Sequence, residues 1–513
     1  MKSNSVKTLR NSAIAFIAQI ISFLLVFINR KVFLAFLSLE YLGYQSLFSN
    51  VFTLLSVAEL GVGQAISYRL YKQIVNKNYD EIGRLMYVYK VVYRVIAAFV
   101  LALGIICYFL LPYIIKNSTL DWWYITIIYF LQLSSVVASY FLSYRRVIFT
   151  ATQQEYKVTI TDLSVSIAIQ ILQLLFLAIF RNYLIYLVIN LSTSVIQNFI
   201  IKCLSDKEFF FLKKKQIISR SYLKSINIFS DVKNVVIHRL SYAIYDGTDN
   251  IIISSFLGVS FVALYGNYHT IHSSVVKLFV RKLLHPIQAT LGNILYSNRS
   301  KDQLWSQFKM FDVFSFFFAS QIALGFFVFY QPFIELWLGG QYLLPFSFVV
   351  LFCITIYFGL VWEIVYKYRA VLGDFRQDRW FLVTSAVLNI CVSLVFVQIW
   401  GITGIQFGTL IAFIPIAIGR IRFVVKNYFK ESMTIYLAKH FLLFLLFSSE
   451  AIICYLVLYN MPVTIPFFII RFLVWLVVPI SINTLVFCKN KDFIRLVRYF
   501  KDVIYSSFTR RKK

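Results

Sequence analysis

Charged residues are scarce in this sequence. Asp, Glu, Lys and Arg make up 14% of the 513 residues, whereas hydrophobic residues make up 60%. A soluble globular domain is about one quarter charged and a little under half apolar. The chain is long enough for several soluble domains, but no stretch of it has a soluble composition. The composition therefore excludes an assembly of ordinary soluble domains.

Several chemical motifs are also absent. The sequence contains no GxxxxGK[ST] loop and no HExxH, which argues against an ATPase and a metalloprotease. Its cysteines lie in or beside apolar runs without metal-site spacing: Cys107, Cys203, Cys353, Cys391, Cys454 and Cys488. No sizeable outer loop carries paired carboxylates, as a membrane polymerase or glycosyltransferase would need. We predict no enzyme activity, no metal site and no cofactor.

Apolar runs of about 20 residues recur along the whole chain. Each is long enough to cross a hydrocarbon core of about 30 Å, and backbone groups in lipid require helices there. The sequence therefore predicts an all-α, multi-pass membrane protein of about fourteen transmembrane helices. The predicted spans are 11–35, 42–68, 91–113, 122–143, 158–180, 184–203, 234–257, 261–284, 310–331, 344–366, 380–399, 402–421, 439–459 and 464–487.

Basic residues give these spans a direction. Of the 50 Lys and Arg residues, 44 fall in segments that lie on one side of the membrane in this map. The positive-inside rule makes that side the cytoplasm, with both termini inside. The net charge of +28 then reflects topology and contact with anionic lipids rather than nucleic acid.

The two halves of the chain resemble each other weakly. Phe36-Leu-Ser-Leu-Glu-Tyr-Leu-Gly-Tyr-Gln45 and Phe256-Leu-Gly-Val-Ser-Phe-Val-Ala-Leu-Tyr-Gly-Asn267 are each a helix end, a turn and an aromatic, Gly-bearing helix start. Six helices separate them, which predicts parallel lobes related by a pseudo-twofold axis along the membrane normal. The predicted parts are an N-lobe 1–204, a cytoplasmic linker 205–233, a C-lobe 234–425, two further helices 426–489 and a basic tail 490–513.

Polar side chains inside predicted spans are the best pointers to function, because they usually face a cavity or a partner. The seventh span carries the densest set on about one third of its surface: Arg239, Tyr242, Asp246, Asp249 and Asn250. These residues either form one wall of a wet cavity, binding an anionic head group, sugar hydroxyls or a coupling cation, or lock the helix to a neighbour by an ion pair.

Other spans carry fewer polar groups. The second has a hydrophilic stripe with Glu59, which either lines the cavity or is a small-residue packing face. Arg30 in the first span either reaches the cavity or extends to the outer interface. Glu363, Lys367 and Arg369 at the inner end of the tenth span form either a cytoplasmic gate or an ordinary interfacial cluster. We also expect Glu450 to pair with Arg471.

The first two spans contain a recognisable pattern. It reads Asn29-Arg30, then Leu39-Glu-Tyr-Leu-Gly43-Tyr-Gln, then Glu59-Leu-Gly-Val-Gly63-Gln-Ala-Ile, then Leu70-Tyr71. This pattern resembles the N-terminal region of Wzx-type polysaccharide flippases of the MOP exporter superfamily, which includes MATE drug exporters and MurJ-type lipid II flippases. The motif-level resemblance covers about 45 residues, and Tyr44-Gln45 directly after Gly43 departs slightly from the usual tract.

The resemblance implies a V-shaped, two-lobed fold, alternating access and an undecaprenyl-diphosphate-linked oligosaccharide as substrate. It implies a cationic site for the diphosphate at Arg30, Arg239 and Arg69, with Gln64 also in the matched tract. It suggests the polymerase and glycosyltransferases of the same pathway as partners. Coupling to Na+ or H+ stays open, and so does another transporter of the same fold, a lipid II flippase or a drug/cation antiporter.

Overall fold

The structure is a computed structural model, and among the residues that it describes the regular secondary structure is helical. The described residues are 2–56, 62–213, 222, 240, 243–245, 247–276, 288, 291–292, 294–295, 300–373 and 379–509.

Helices follow one another with short connections. In the first half of the chain they are α1 (Lys2–Phe36), α2 (Leu39–Leu55), α3 (Val62–Val75), α4 (Tyr79–Tyr108), α5 (Leu111–Ile114), α6 (Trp122–Ser143), α7 (Arg146–Ala151), α8 (Glu155–Phe180), α9 (Tyr183–Glu208), α10 (247–256) and α11 (Val259–Val275). In the second half they are α12 (Lys301–Trp337), α13 (Phe346–Val361), α14 (Glu363–Leu372), α15 (Arg379–Trp400), α16 (Ile402–Ile421), α17 (Met433–Leu458), α18 (Ile465–Phe487) and α19 (Lys491–Thr509).

Ten helices of the described chain are long and apolar enough to cross a membrane, and an eleventh if α13 and α14 form one bent span. These eleven correspond to eleven of the predicted spans, which confirms an all-α, multi-pass membrane protein. The other three predicted spans, 42–68, 234–257 and 261–284, include residues outside the described part of the chain. The count of fourteen and the orientation stay predictions.

Two helices begin much earlier than hydropathy predicted. The span predicted at 91–113 belongs to α4, which begins at Tyr79, and the span predicted at 310–331 belongs to α12, which begins at Lys301. Capping residues explain both starts. Asn78 accepts a hydrogen bond from the Glu81 amide at 3.2 Å, and Ser300 forms a capping box with Gln303. Polar turns that hydropathy assigns to loops therefore continue these helices.

The tenth predicted span is not straight. Its residues form α13 and α14, which meet at Trp362 with a bend of 41°. Helix α14 then ends at Gly373, whose φ of 73° suits a residue without a side chain. The bend places Glu363 and Lys367 on a separate short helix.

The chain divides into two compact units, Met1–Gly266 and Asn267–Lys513. The division falls inside α11 rather than in the predicted linker 205–233. This division reflects how densely the residues pack and does not test an internal repeat. The predicted arrangement of two six-helix lobes and two further helices therefore stays a prediction. The two segments compared in the proposed repeat share one feature. In each, two non-helical residues separate consecutive helices, after Phe36 and after Phe256.

Polar contacts hold the first unit together at both ends of its helices. Helix α1 packs along α8, and Asn29 donates a hydrogen bond to Gln170 there. At the predicted cytoplasmic end, Arg146 binds both carboxylate oxygens of Asp162, at 2.7 and 2.9 Å, and donates to Asn198 at 2.7 Å. A bidentate pair of this kind fixes orientation as well as distance.

Candidate functional site

Arg30 is the predicted site residue that the structure describes most completely. It lies on α1, within the apolar segment Phe16–Phe36. Its Nη2 donates a hydrogen bond to the carbonyl oxygen of Ala263 at 3.1 Å. That carbonyl belongs to α11, so the guanidinium points at a neighbouring helix rather than along α1 to the outer interface. The side chain is half-buried.

Small residues make room for this guanidinium. A Cβ atom on Gly266 would lie 3.1 Å from Nη2 of Arg30 and 3.3 Å from the hydroxyl oxygen of Ser46. Both distances are shorter than an ordinary contact between such atoms. Three helices, α1, α2 and α11, therefore meet around Arg30 because position 266 has no side chain.

Close approach of α2 and α11 produces this meeting. A Cβ atom on Gly43 would lie 2.1 Å from the carbonyl oxygen of Val259. No side chain fits there, so the backbones of the two helices are in contact. Gly43 belongs to the tract that carried the family resemblance, and the contact gives that glycine a physical reason.

Asp249 and Asn250 lie on α10 and are buried, at 3% and 6% exposure. The hydroxyl of Tyr265 donates to Asp249 at 3.2 Å. Tyr265 precedes Gly266, and consecutive residues of a helix point about 100° apart. Arg30 and Asp249 therefore contact the same short stretch of α11 from different directions. The amide oxygen of Asn250 has no hydrogen-bond partner among the described residues.

Glu40 is a second buried carboxylate, and its role was missed from sequence. It accepts hydrogen bonds from the Ser118 hydroxyl at 2.8 Å, from the Thr119 amide at 3.0 Å and from the Thr119 hydroxyl. Tyr44 donates to Ser118 at 2.6 Å. These bonds fix the connection before α6 to the first turn of α2. Glu40 follows Leu39 in the tract that carries the family resemblance. It thus holds the loop 115–121 against the first turn of α2.

Four of the other predicted site residues lie outside the described residues: Glu59, Arg239, Tyr242 and Asp246. The backbone of Gln64 belongs to α3, but its side chain is also outside the described part. Arg69 lies further along α3 and acts electrostatically on the hydroxyl of Tyr222. Tyr222 in turn donates a hydrogen bond to Glu81 at the start of α4. Arg69 is thus on α3 near Tyr222, whose hydroxyl contacts the first turn of α4.

The residues predicted to form a gate lie together on α14. Glu363 and Lys367 form an ion pair of 3.0 Å one helical turn apart, and both are largely buried. Arg369 is 7% exposed. Because the bend at Trp362 precedes these residues, all three lie on one short helix that is set at an angle of 41° to α13.

One buried charge cluster in the second unit was not anticipated. Asp312 on α12 is fully buried and accepts hydrogen bonds from Tyr436 and Lys439 of α17, both at 2.7 Å. His440 lies 3.2 Å from the same carboxylate. The signal was weak in sequence because Asp312 lies at the edge of its predicted span and its partners are more than 120 residues away.

The expected pair of Glu450 with Arg471 is wrong. Glu450 accepts a hydrogen bond from Ser320 on α12, whereas Arg471 donates to the carbonyl oxygen of Met461 at 2.8 Å. Similar depth in the membrane did not make them neighbours. Among the residues that the structure describes, no group of three or more His, Cys, Asp or Glu side chains could hold a metal ion.

Known structures share this fold. A lipid II flippase MurJ in an inward closed conformation superposes with a TM-score of 0.69 at 15% identity, covering 94% of this chain and 99% of its own. An inward-facing multidrug resistance MATE transporter of the MOP superfamily gives a TM-score of 0.55 at 14% identity, covering 77% and 93%. A MATE protein in a bent conformation gives 0.50 at 14% identity, covering 82% and 95%. The chain therefore has the MOP fold.

No curated protein sequence matches the chain significantly. A family model described as polysaccharide biosynthesis protein matches residues 8–286, which include Arg30, Gly43, Asp249 and Gly266. That match covers more than half of the 513 residues. The chain therefore belongs to the polysaccharide biosynthesis protein family.

Proposed function

We propose that this protein is a flippase for undecaprenyl-diphosphate-linked oligosaccharide repeat units. It carries them from the inner to the outer leaflet of the bacterial cytoplasmic membrane by alternating access, for capsule, exopolysaccharide or other surface polysaccharide synthesis. It is a transporter and not an enzyme. Its partners are the lipid-linked oligosaccharide, anionic lipids and the polymerase and glycosyltransferases of the pathway.

The observation that carries the proposal is the position of Arg30. A cation within an apolar span is costly, and such residues usually serve a substrate or ion path. Arg30 points toward α11 and is held by a backbone carbonyl, in a space that Gly266 leaves open. The planar fork of a guanidinium suits a diphosphate, whose oxygens accept paired hydrogen bonds.

We assign the other site residues supporting roles. Arg69 and Arg239 supply further positive charge for the diphosphate, and Glu59, Gln64, Tyr242, Asp246, Asp249 and Asn250 bind sugar hydroxyls or a coupling Na+ or H+. The buried and incompletely satisfied amide of Asn250 beside Asp249 supports polar binding at that position. The ion pair of Glu363 with Lys367, on a helix set off by a bend, supports a cytoplasmic gate with Arg369.

A lipid II flippase is the second candidate, and one observation favours it over a drug antiporter. The MurJ structure matches 94% of this chain, whereas the inward-facing MATE structure matches 77%. The family description of polysaccharide biosynthesis favours an oligosaccharide repeat unit over lipid II. Rescue of peptidoglycan synthesis in a strain depleted of its lipid II flippase would support this second candidate.

The test is a gene deletion in a strain without a redundant flippase. We expect lipid-linked repeat units to accumulate on the cytoplasmic leaflet and surface polymer to disappear. A plasmid copy with wild-type sequence should restore export, and an Arg30→Gln copy at equal protein level should not. Normal outward delivery in the deletion strain would refute the flippase, whereas full export by the Arg30→Gln copy would refute only the site.

A further inference from the structure

The last helix, α19, has an amphipathic sequence and begins next to a membrane span. Helix α18 ends at Phe487 and α19 begins at Lys491. Three connecting residues reach at most about 14 Å, so the start of α19 lies close to where the span leaves the hydrocarbon. Asn490 caps it by accepting hydrogen bonds from the amides of Asp492 at 2.9 Å and Phe493 at 3.2 Å.

One face of α19 packs on α12. Phe493 stacks on Phe317 with ring centroids 5.1 Å apart, and Tyr499 meets Phe311 at 5.9 Å. Leu496 is 5% exposed. Helix α12 has 37 residues and is therefore about 55 Å long, well beyond a hydrocarbon core of about 30 Å. Helix α19 thus lies along the end of α12 that is nearest the span boundary.

Two further apolar residues of α19 lie beyond this contact. Phe500 still meets Phe314 of α12 with ring centroids 5.5 Å apart. Ile494 and Val497 form a short apolar strip and are 37% and 52% exposed. This strip is adjacent to the docked face, so the apolar arc of the helix is wider than the contact with α12 requires. A solvated basic tail would have no reason to carry an exposed apolar strip.

Basic side chains flank the exposed strip. Lys491, Arg498 and Lys501 are exposed, and within the described chain none of them forms an ion pair. By contrast, Arg495 pairs with Asp492 at 3.5 Å. At 100° per residue, Arg498 and Lys501 lie within about 60° of Ile494 around the helix. Lysine and arginine next to an apolar strip are typical of helices that lie in a membrane interface.

We propose that α19 lies in the membrane–water interface and binds anionic phospholipid head groups. Ile494 and Val497 then enter the acyl boundary, and Lys491, Arg498 and Lys501 contact the head groups. The docked face ties this lipid contact to α12. The proposal concerns a surface separate from Arg30, and it can be tested without measuring transport.

The test uses cysteine-free protein in lipid nanodiscs with one fluorophore on α19. In the variant Val497→Cys, the fluorophore is attached to the new cysteine. Brominated phosphatidylglycerol should quench its fluorescence more strongly than brominated phosphatidylcholine. In the control variant Asp502→Cys, the fluorophore lies on the polar face, and both brominated lipids should quench it weakly. Equal quenching of the Val497 label by the two lipids would refute head-group selectivity, and no quenching would refute interfacial burial.

Charge variants give the second measurement. The triple variant Lys491→Gln, Arg498→Gln, Lys501→Gln should lower the phosphatidylglycerol preference at least fivefold, since about 1 kcal/mol per basic residue near an anionic surface is about fivefold in affinity. The matched control Lys72→Gln, Lys77→Gln, Arg94→Gln removes three exposed charges from the first unit. An equal loss in the control would refute a site on α19, and close distances between labels on two copies would show that a second chain covers the strip instead.

Discussion

Replacing Gly266 with Ala tests the proposed site without changing any charge. The new Cβ atom would lie 3.1 Å from Nη2 of Arg30 and 3.3 Å from the Ser46 hydroxyl. An ordinary contact is about 3.5 Å, so the guanidinium must move by about 0.4 Å. Its hydrogen bond to Ala263, now 3.1 Å, would then lengthen beyond the usual range of about 2.7–3.2 Å.

The expected effects on stability and on export differ. The displaced atom is the end of a flexible side chain, so the loss of stability should be about 1 kcal/mol or less, the value of one hydrogen bond. A misplacement of 1 Å in a positioning group costs about 10²-fold in rate, so a shift of about 0.4 Å should lower export about sixfold. Arg30→Lys should lower export more than Gly266→Ala does. Lysine keeps the positive charge, but it lacks the planar guanidinium that can donate paired hydrogen bonds.

The assay compares surface polymer in a deletion strain carrying each variant at equal protein level. Binding of undecaprenyl diphosphate to purified protein should be weakened about tenfold or more by Arg30→Gln, because a hydrogen bond to a charged group is worth about 1.5–3 kcal/mol. The control is Gly359→Ala, since a Cβ atom there meets nothing within 4 Å. Equal export by the Gly266 and Gly359 variants, together with unchanged binding by Arg30→Gln, would refute the reasoning.

Three further predictions concern stability and are read by thermal unfolding in detergent. Gly43→Ala should destabilise the protein by about 3 kcal/mol, because backbones and not side chains must separate around a Cβ atom 2.1 Å from Val259; an unchanged melting temperature would contradict the contact. Glu40→Ala should cost about 2 kcal/mol by leaving its buried donors unpaired, and should speed proteolysis of the loop 115–121 whereas other loops are unaffected. Asp312→Ala should cost about 3 kcal/mol, because it removes the partner of Lys439 and of a buried His; a smaller loss in Asp312→Ala than in Lys439→Ala would argue against a central carboxylate.

The transmembrane organisation could be predicted from sequence because each span must satisfy its own backbone in lipid. Eleven of the predicted spans correspond to described helices for that reason. Helix starts could not be predicted from hydropathy, since polar turns capped by Asn78 and Ser300 are as helical as the apolar turns after them. The predicted basic tail is an amphipathic helix, which composition alone could not distinguish from a charged loop.

Polar residues that contact neighbouring helices could be predicted only where the sequence of a single span showed that they were unusual. Arg30 interrupts an apolar segment, so sequence alone marked it as unusual. The cluster around Asp312 was missed, because its partners Tyr436 and Lys439 come from another helix.

The wrong pairing of Glu450 shows the same limit from the other side. Hydropathy assigns a depth to each residue but no direction around the helix, and two residues at one depth meet only if both helices turn them inward. Glu450 faces Ser320 on α12 and Arg471 turns back to Met461. Glycine gives the missing information about direction, because Gly43 and Gly266 mark faces where a neighbour must be close. In this chain Gly43 and Gly266 are therefore better guides to helix contacts than the opposite charges of Glu450 and Arg471.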